Sequence, residues 1–502
     1  MGVEKTFKRQ EKVIVSIFFL VIFVFFVVLY TRIVPLVIFN MDDWDFISFG
    51  NKRFLPDWGS WNPSRVLPEM LMPFVAQLSV YLIYPFSHDF LGSIELGMAI
   101  TISAMVTVYS YAFYQMIRKR RGHSIYLSYA LTLLFLVLHF LIFRTKNESN
   151  DYLFNGYYDA TTYFFYLIPA LLNASLVLAF CPTGFFSSEM SLRKRALLLP
   201  AVYFAVFSNI HQSIILAVYV CFDMLNQLIV AIREKNRKKG IGIWKHIAFL
   251  ALWGTSLIYE NSGGRANGVR YTTNADLIAK IKKSWIMLRD RLCDINGVFL
   301  TILICTLIVA ITVLCLYLHN KQKEKIKMLF RWNGIQMLLS AVIALVYVFL
   351  ICSVSLNFYI TRGDVLLSSL FFLFVFMIDI MAILLNKVKK IRFMLPMLLV
   401  VCLLQVPTGG QTFKSSINNN IPYETARKIS REILNSYVEA DIQHEDNITI
   451  EVPKFTGGNW PLTNNGPRIS KVLFKYHIIS RPINAELVPS ADKNKEYNLP
   501  EY

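Results

Sequence analysis

The chain has 502 residues, of which 55% are hydrophobic and only 17% are charged, and its mean hydropathy is +0.46. Soluble domains seldom have this composition, and apolar runs of about 20 residues recur along the chain, as expected for membrane-spanning helices. A β-barrel would show short alternating segments instead. The sequence therefore predicts an all-α polytopic membrane protein.

The formal net charge is +18, which in a soluble protein would suggest nucleic-acid binding. Here the Lys and Arg residues fall mostly in short blocks between apolar runs, the pattern that holds loops in the cytoplasm. We therefore predict no nucleic-acid partner. The seven cysteines include no C-x-x-C pair, so neither a disulfide framework nor a zinc site is indicated.

The first apolar run, 13–39, follows a basic N-terminal segment and predicts a span that starts in the cytoplasm. The segment 40–92 is then a first external loop. Its stretch 66–86 is apolar but contains three prolines, and the basic block 118–121 would face outward if this stretch crossed. We predict that 66–86 lies along, or dips into, the outer surface.

Later apolar runs predict ten more spans, about eleven in all, in a module covering 1–406. These runs are 93–117, 125–143, 161–181, 196–209, 212–231, 243–259, 297–318, 334–356, 365–385 and 393–406. The tail 407–502 is less apolar, with helical spacing over 423–439 and strand-like alternation over 448–452. It predicts a small external α/β domain, so the N-terminus is cytoplasmic and the C-terminal domain external.

The loop 260–294 departs from the rule that Lys and Arg residues stay on the cytoplasmic side, because several of its basic residues would lie outside. Within it five apolar residues recur at helical spacing: Ile278, Ile281, Trp285, Leu288 and Leu292. This spacing predicts an amphipathic helix in the membrane interface with a basic outer face. Three interpretations remain open: attraction to anionic lipid headgroups, a site for a phosphorylated lipid substrate, or an inverted topology at this loop.

Carboxylates and arginines gather on the predicted external side. Asp42, Asp43 and Asp45 follow the first span, and ionisable groups at that depth are costly unless they have a function. The external loops add further polar and charged residues: Arg65, Glu148, Asp151, Asp159, Asn209, His211, Gln212, Arg265, Arg270, Arg362 and Asp364. A carboxylate can act as a general base, and guanidinium groups can hold a phosphate.

No Walker motif, G-x-G-x-x-G or zinc signature is present, so a donor already in the membrane is the natural alternative to a nucleotide. The Asp pair after span 1, the loop N-G-Y-Y-D-A-T-T-Y and the Gly/Arg loop 263–270 resemble motifs of GT-C fold polyprenyl-phosphate-dependent glycosyltransferases. The resemblance covers roughly 13–370. It implies transfer of a sugar from a polyprenyl-phosphate-linked donor to an envelope polysaccharide at the cell membrane.

The resemblance also implies residue roles. Asp42 or Asp43 would act as the base or orient the acceptor, and Asp159, Glu148 or Asp151 would be the second acid. The predicted substrate-binding residues are Arg65, His211, Arg265, Arg270 and Arg362. Metal-dependent members place acids from both loops around a divalent cation, which this sequence permits but does not require.

Other interpretations stay open. The Asp pair could only anchor the end of span 1 in water, and His139, His246 and His319 fit structural roles. A lipid-linked oligosaccharide flippase or transporter is the alternative function, although such proteins usually show internal repeats that this chain lacks. A polysaccharide polymerase is a further alternative, since it too combines many spans with charged external loops.

Overall fold

The computed structural model describes residues 2–48, 54–122, 124–144, 152–155, 159–233, 242–268, 274–321, 334–408, 416–417, 421–454 and 465–500. The described chain is mostly helical. The N-terminal helices are α1 Gly2–Val28, α2 Met41–Ser48, α3 Val66–Leu82, α4 Phe90–Arg121, α5 Ile125–Leu141, α6 Ala160–Phe180, α7 Leu192–Val206 and α8 Ile210–Arg233. They are followed by α9 Trp244–Ser262, α10 Asn274–Cys293, α11 Gly297–His319, α12 Ile335–Val354, α13 Gly363–Lys387 and α14 Met394–Thr408.

Eight helices of the described residues are long and apolar enough to cross a membrane. They are Gln10–Ile33, α4, α6, α8, α11, α12, α13 and Lys389–Pro407. This confirms the polytopic helical class. The remaining three predicted spans also form helices, but α5 and α7 have only 17 and 15 residues and α9 is less apolar. Their crossing stays a prediction.

The first span ends earlier than predicted. After α1 the chain makes a π-helical turn, Leu29–Ile33, and residues 34–39 are non-helical although they are apolar and buried. Pro35 accounts for this end, because proline disfavours the helical conformation of the residue before it and lacks an N–H. The predicted helix over 13–39 was therefore wrong in its last residues.

The apolar stretch 66–86 is held close to other helices. The amide of Leu67 donates to the carbonyl of Phe207 at the end of α7 (2.9 Å), and Ser79 lies against α4 at Gly97. A Cβ at Gly97 would come within 1.8 Å of Ser79 Oγ, so only glycine fits this approach. With 17 residues and Pro73 in its interior, α3 is not among the eight candidate spans.

Basic helix ends meet on one face of the bundle. At the end of α4, Arg121 makes two hydrogen bonds to the buried carboxylate of Asp379 (2.9 and 2.7 Å), near the end of α13. Arg118 pairs with Glu11 near the start of α1 at 2.5 Å. The start of α1 therefore lies beside the basic ends of α4 and α13, away from their first residues, Phe90 and Gly363.

The tail forms a unit of helices and short strands. It contains β1 Ser416–Ile417, β2 Ile421–Pro422, α15 Tyr423–Gln443, β3 Asn447–Pro453, α16 Gly466–Lys475, β4 Asn484–Ser490 and α17 Ala491–Glu496. Strands β3 and β4 pair in parallel, with Asn447 opposite Asn484, and β1 pairs with β2 antiparallel. The helix expected over 423–439 and the strand over 448–452 are present with slightly wider bounds.

The C-terminal unit packs directly on α2, which the sequence did not predict. Arg468 of α16 pairs with Asp45 at 2.9 Å, and Lys475 donates to the carbonyls of Ile47 and Ser48 at the end of α2. Arg427 of α15 donates to the carbonyl of Leu36 (3.1 Å) in the extended segment. The tail therefore lies on the same side of the bundle as α2.

Candidate functional site

A cavity of about 210 Å³ opens beside α2. Its wall comes from α2, the loop before α3, the start of α6, the short helix Gly264–Gly268 and the 3₁₀ turn Asn357–Thr361. The lining residues are Phe39, Asn40, Asp42, Phe46, Trp61, Asn62, Arg65, Asp159, Thr161, Thr162, Phe165, Tyr166, Arg265, Phe358, Tyr359 and Arg362. Five of the predicted site residues, from distant parts of the sequence, thus meet in one cavity.

Asp43 lies behind the cavity wall and is fully buried. Its Oδ1 accepts hydrogen bonds from the amide and hydroxyl of Thr161 (2.8 and 2.6 Å), and its Oδ2 accepts from the amides of Phe39 and Asn40. These four bonds join α2 to the extended segment before it and to the start of α6. The geometry fits a bracing role for Asp43 better than that of a base.

Asp42 occupies the first turn of α2 and points into the cavity, where water reaches its side chain. Among the described residues it has no hydrogen-bond partner. Desolvation by the surrounding protein and the nearby charge of Asp159 raise its pKa, while Arg265 acts in the opposite direction. A raised pKa makes this carboxylate a stronger proton acceptor than an ordinary aspartate.

Asp159 caps the N-terminus of α6. Its carboxylate accepts hydrogen bonds from the amide and hydroxyl of Thr162, and from the side-chain amide of Asn40 at 3.0 Å. Desolvation raises its pKa. Burial, followed by the charge of Asp159, raises the pKa of Asp43 to about 8, so the two carboxylates do not both ionise readily at neutral pH.

Arg65 is paired inside the protein. Its guanidinium donates to Glu260 through Nε (3.2 Å) and one Nη (3.1 Å), and Ser64 donates to the second oxygen of the same carboxylate (2.5 Å). Its charge is therefore balanced before any ligand binds.

Arg362 is paired in the same manner. It makes a two-bond fork with Asp364 (3.1 and 2.6 Å), and its guanidinium lies 4.3 Å from the ring centre of Tyr166. Stacking on an aromatic face and a bidentate carboxylate fix the orientation of this group.

Arg265 differs from both. It donates to the hydroxyl of Tyr359 and lies 5.7 Å from the centre of that ring, and it has no carboxylate partner in the described part of the chain. The Gly-rich loop allows this placement, because a Cβ at Gly264 would lie 2.8 Å from the ring of Trp61. Arg265 is thus the guanidinium best suited to meet an anion in the cavity.

His211 does not line the cavity. It is buried behind the wall, with Nδ1 3.0 Å from Asn209 Oδ1 and its ring 5.8 Å from that of Tyr359. It therefore supports the aromatic wall instead of facing a ligand. The predicted residues Glu148, Asp151 and Arg270 lie outside the described residues.

Sequence reasoning missed Tyr166 and Tyr359 of the cavity wall, and Glu260, which pairs with the wall residue Arg65. An aromatic side chain inside or beside an apolar run looks like a membrane anchor, and Glu260 looked like the first residue of a loop. The sequence N-F-Y-I-T-R-G-D at 357–364 places Tyr359 three residues before Arg362, and this spacing was the available signal.

Among the described residues no group of three His, Cys, Asp or Glu side chains is placed to hold a metal ion. A divalent-cation site therefore stays a prediction without a ligand set in the described chain.

No protein-family model, curated protein or solved structure matches this chain. Any statement about its chemistry therefore depends on the sequence motifs and on the cavity itself.

Proposed function

We propose that the chain is an integral membrane glycosyltransferase that moves a sugar from a polyprenyl-phosphate donor to an external cell-envelope glycan. One observation carries the proposal: Asp42 and Arg265 line the same cavity. In the described part of the chain, Asp42 has no hydrogen-bond partner and Arg265 has no carboxylate partner. A proton acceptor and an anion-binding group are thus available in one small space.

The reaction follows from these two groups. The hydroxyl oxygen of the acceptor forms a bond to the anomeric carbon of the donor sugar, and Asp42 takes the proton from that hydroxyl. The bond between the anomeric carbon and the phosphate oxygen breaks, and the phosphate keeps the electron pair. Arg265 stabilises the charge on the departing phosphate, helped by the hydroxyl of Tyr359.

The dimensions of the cavity agree with a small polar substrate group. Its volume of about 210 Å³ lies below the roughly 300–1,000 Å³ of drug-sized ligand pockets. Two large apolar side chains of the wall, Trp61 and Phe358, are 65% and 41% exposed. They offer an apolar rim to a lipid chain while the sugar and phosphate occupy the polar interior.

The charge distribution supports an external location for the cavity. The basic ends of α4 and α13 lie away from the cavity, beside the start of α1. If these basic residues face the cytoplasm, as is usual in membrane proteins, the cavity faces outward. An acceptor in the cell envelope and a donor in the outer leaflet would both reach it.

The test compares Asp42→Asn with Asp45→Asn in membranes supplied with a polyprenyl-phosphate sugar. The two residues lie on the same helix, but Asp45 pairs with Arg468 outside the cavity. Loss of a general base typically lowers the rate by about 10²–10⁴-fold, which we expect for Asp42→Asn. Asp45→Asn loosens only the contact of α2 with α16 and should lower kcat far less.

Asp43→Asn is the third variant. It should lower both transfer and thermal stability, because the hydrogen bonds of Asp43 hold α2 in place. Full transfer by folded Asp42→Asn protein would refute the assignment of the base. Movement of a lipid-linked sugar across the membrane without a new glycosidic bond would favour the flippase alternative.

A further inference from the structure

Helix α10 lies across the ends of α12 and α5 on the cavity side. Asn357, just after α12, donates to the carbonyl of Lys280 (2.9 Å) and to the hydroxyl of Ser284 (2.7 Å). Further along, the guanidinium of Arg291 lies 3.6 Å from the ring centre of Phe143, just after α5. Lys280 and Arg291, at the two ends of this contact region, are about 16 Å apart along the helix at 1.5 Å per residue.

One face of α10 packs against the protein and another does not. Ser284, Leu288 and Arg291 are buried on the inner face. Three apolar residues spaced by seven form what we call the outward stripe: Ile278, Trp285 and Leu292. They are 68%, 57% and 42% exposed. Apolar residues that recur along one face of a helix form a patch of the kind that marks an interaction surface.

The outward stripe continues the exposed apolar surface of a candidate span. Trp285 packs edge-on against Phe349 of α12, with ring centres 6.4 Å apart. Helix α12 is a candidate span, and its own apolar residues Val346 and Leu350 are each 52% exposed. The same apolar environment therefore covers both helices.

Charge identifies the kind of lipid. Helix α10 contains five basic residues and two acidic ones. Lys282 and Arg289 are exposed and fall on the helix face next to the outward stripe. The ion pair of Arg289 with Asp290 is highly exposed and therefore weak, so Asp290 does not prevent Arg289 from binding another anion.

From these observations we infer that α10 is an interfacial helix that binds the surface of an anionic lipid leaflet. The outward stripe inserts at the acyl boundary, and Lys282 and Arg289 contact the phosphate groups of anionic phospholipids. Asn357 connects this surface to the 3₁₀ turn that carries Tyr359, so the bound lipid lies next to the cavity. The inference stands whether or not the cavity transfers sugars.

The experiment uses the full chain in detergent, titrated with phosphatidylglycerol or with phosphatidylcholine of the same acyl chains. Native mass spectrometry counts the lipids retained on each protein. Each cation near an anionic surface contributes roughly five-fold in affinity, so Lys282→Gln/Arg289→Gln is expected to weaken the tightest phosphatidylglycerol sites by about 25-fold. Binding of phosphatidylcholine should stay unchanged.

A matched control, Lys471→Gln/Lys495→Gln, removes two exposed cations of the C-terminal unit and should retain lipid like wild type. Trp285→Gln should weaken retention of both lipids, because it removes the apolar anchor without changing charge. Unchanged phosphatidylglycerol retention by the α10 variant would overturn the inference. A dimer that dissociates in Trp285→Gln would also overturn it, because a second copy would then cover the stripe.

Discussion

Two guanidinium nitrogens of Arg65 donate to one carboxylate oxygen of Glu260, 195 residues further along the chain. Both residues are buried, at 3% and 9% exposure. Removing one partner of such a pair leaves an uncompensated charge in a poorly hydrated site. We therefore expect Glu260→Ala to lower the unfolding free energy by about 3–5 kcal/mol, measured by unfolding in detergent.

The double variant Arg65→Met/Glu260→Met should be less destabilised than Glu260→Ala, because it leaves no charge behind. Asp492→Ala removes an exposed carboxylate from the C-terminal unit and should unfold like wild type. Glu260→Ala protein as stable as wild type would show that Arg65 finds another counter-charge.

The buried carboxylates predict a falling stability as pH rises. The pKa of Asp43 is raised to about 8 by burial and by Asp159, so the folded state holds a proton that the unfolded state releases near pH 4. Folding is therefore favoured most below pH 4, and this contribution is lost progressively up to about pH 8. The melting temperature of wild type should fall between pH 5 and pH 8.

Asp43→Asn should show a flatter decline over this pH range, because the buried side chain no longer ionises and no longer repels Asp159. Asp45→Asn should keep the decline of wild type, since it leaves both carboxylates in place. A wild-type melting temperature that rises from pH 5 to pH 8 would mean that other titrating groups dominate.

Arg265 provides a prediction for ligand binding. A hydrogen bond to a charged group contributes about 1.5–3 kcal/mol, so Arg265→Gln should lower kcat/KM for the lipid-phosphate donor by roughly 10- to 100-fold. Arg265→Lys should retain part of the activity, because it keeps the charge but loses the planar fork. Arg193→Gln, at the exposed start of α7, is the control for a lost surface charge, and equal kcat/KM in all variants would exclude Arg265 from the site.

The sequence predicted best those features that depend on local composition. The long apolar runs located eight candidate spans, and the alternation over 448–452 located β3. The distinction between Asp42 and Asp43 could not be predicted, because neighbouring carboxylates differ only in what surrounds them. Asp43 meets Thr161 118 residues away, whereas Asp42 faces the cavity.

Long-range pairing also explains the remaining errors. The sequence does not indicate that Glu260 neutralises Arg65 or that Asp364 pairs with Arg362. Both arginines therefore looked as available for a phosphate as Arg265. Docking of the tail on α2 depends on individual contacts, such as Arg468 with Asp45, that no periodicity records. The pattern of a short amphipathic helix shows that it has an apolar face, but not which other element packs on that face.

Topology can be tested by cysteine labelling with a membrane-impermeant maleimide. Ser87, just before α4, is exposed near the cavity side, and Lys119 is exposed at the basic end of the same helix. Ser87→Cys should react from outside intact cells, whereas Lys119→Cys should react only after lysis. Gly122 is less suitable, since its φ of +59° strains any other residue.

The labelling background requires three changes, because Cys293 at the end of α10 and both cysteines of α11, Cys305 and Cys315, are exposed. Both cysteine variants should therefore carry serine at these three positions, and the parent with only these changes is the control. Labelling of Lys119→Cys in intact cells would reverse the proposed orientation and place the cavity in the cytoplasm.

Weakening the contact between α16 and α2 should lower the activity without changing the melting temperature. The pair of Arg468 with Asp45 is partly exposed, so it contributes only about 0–1 kcal/mol and Arg468→Gln should melt like wild type. Because α2 carries Asp42, loosening its contact with α16 should nevertheless lower kcat, and proteinase K should release the C-terminal unit faster. Arg481→Gln breaks a pair with Asp446 inside the C-terminal unit and is the matched control. Equal kcat and equal protease resistance in both variants would show that the C-terminal unit does not position α2.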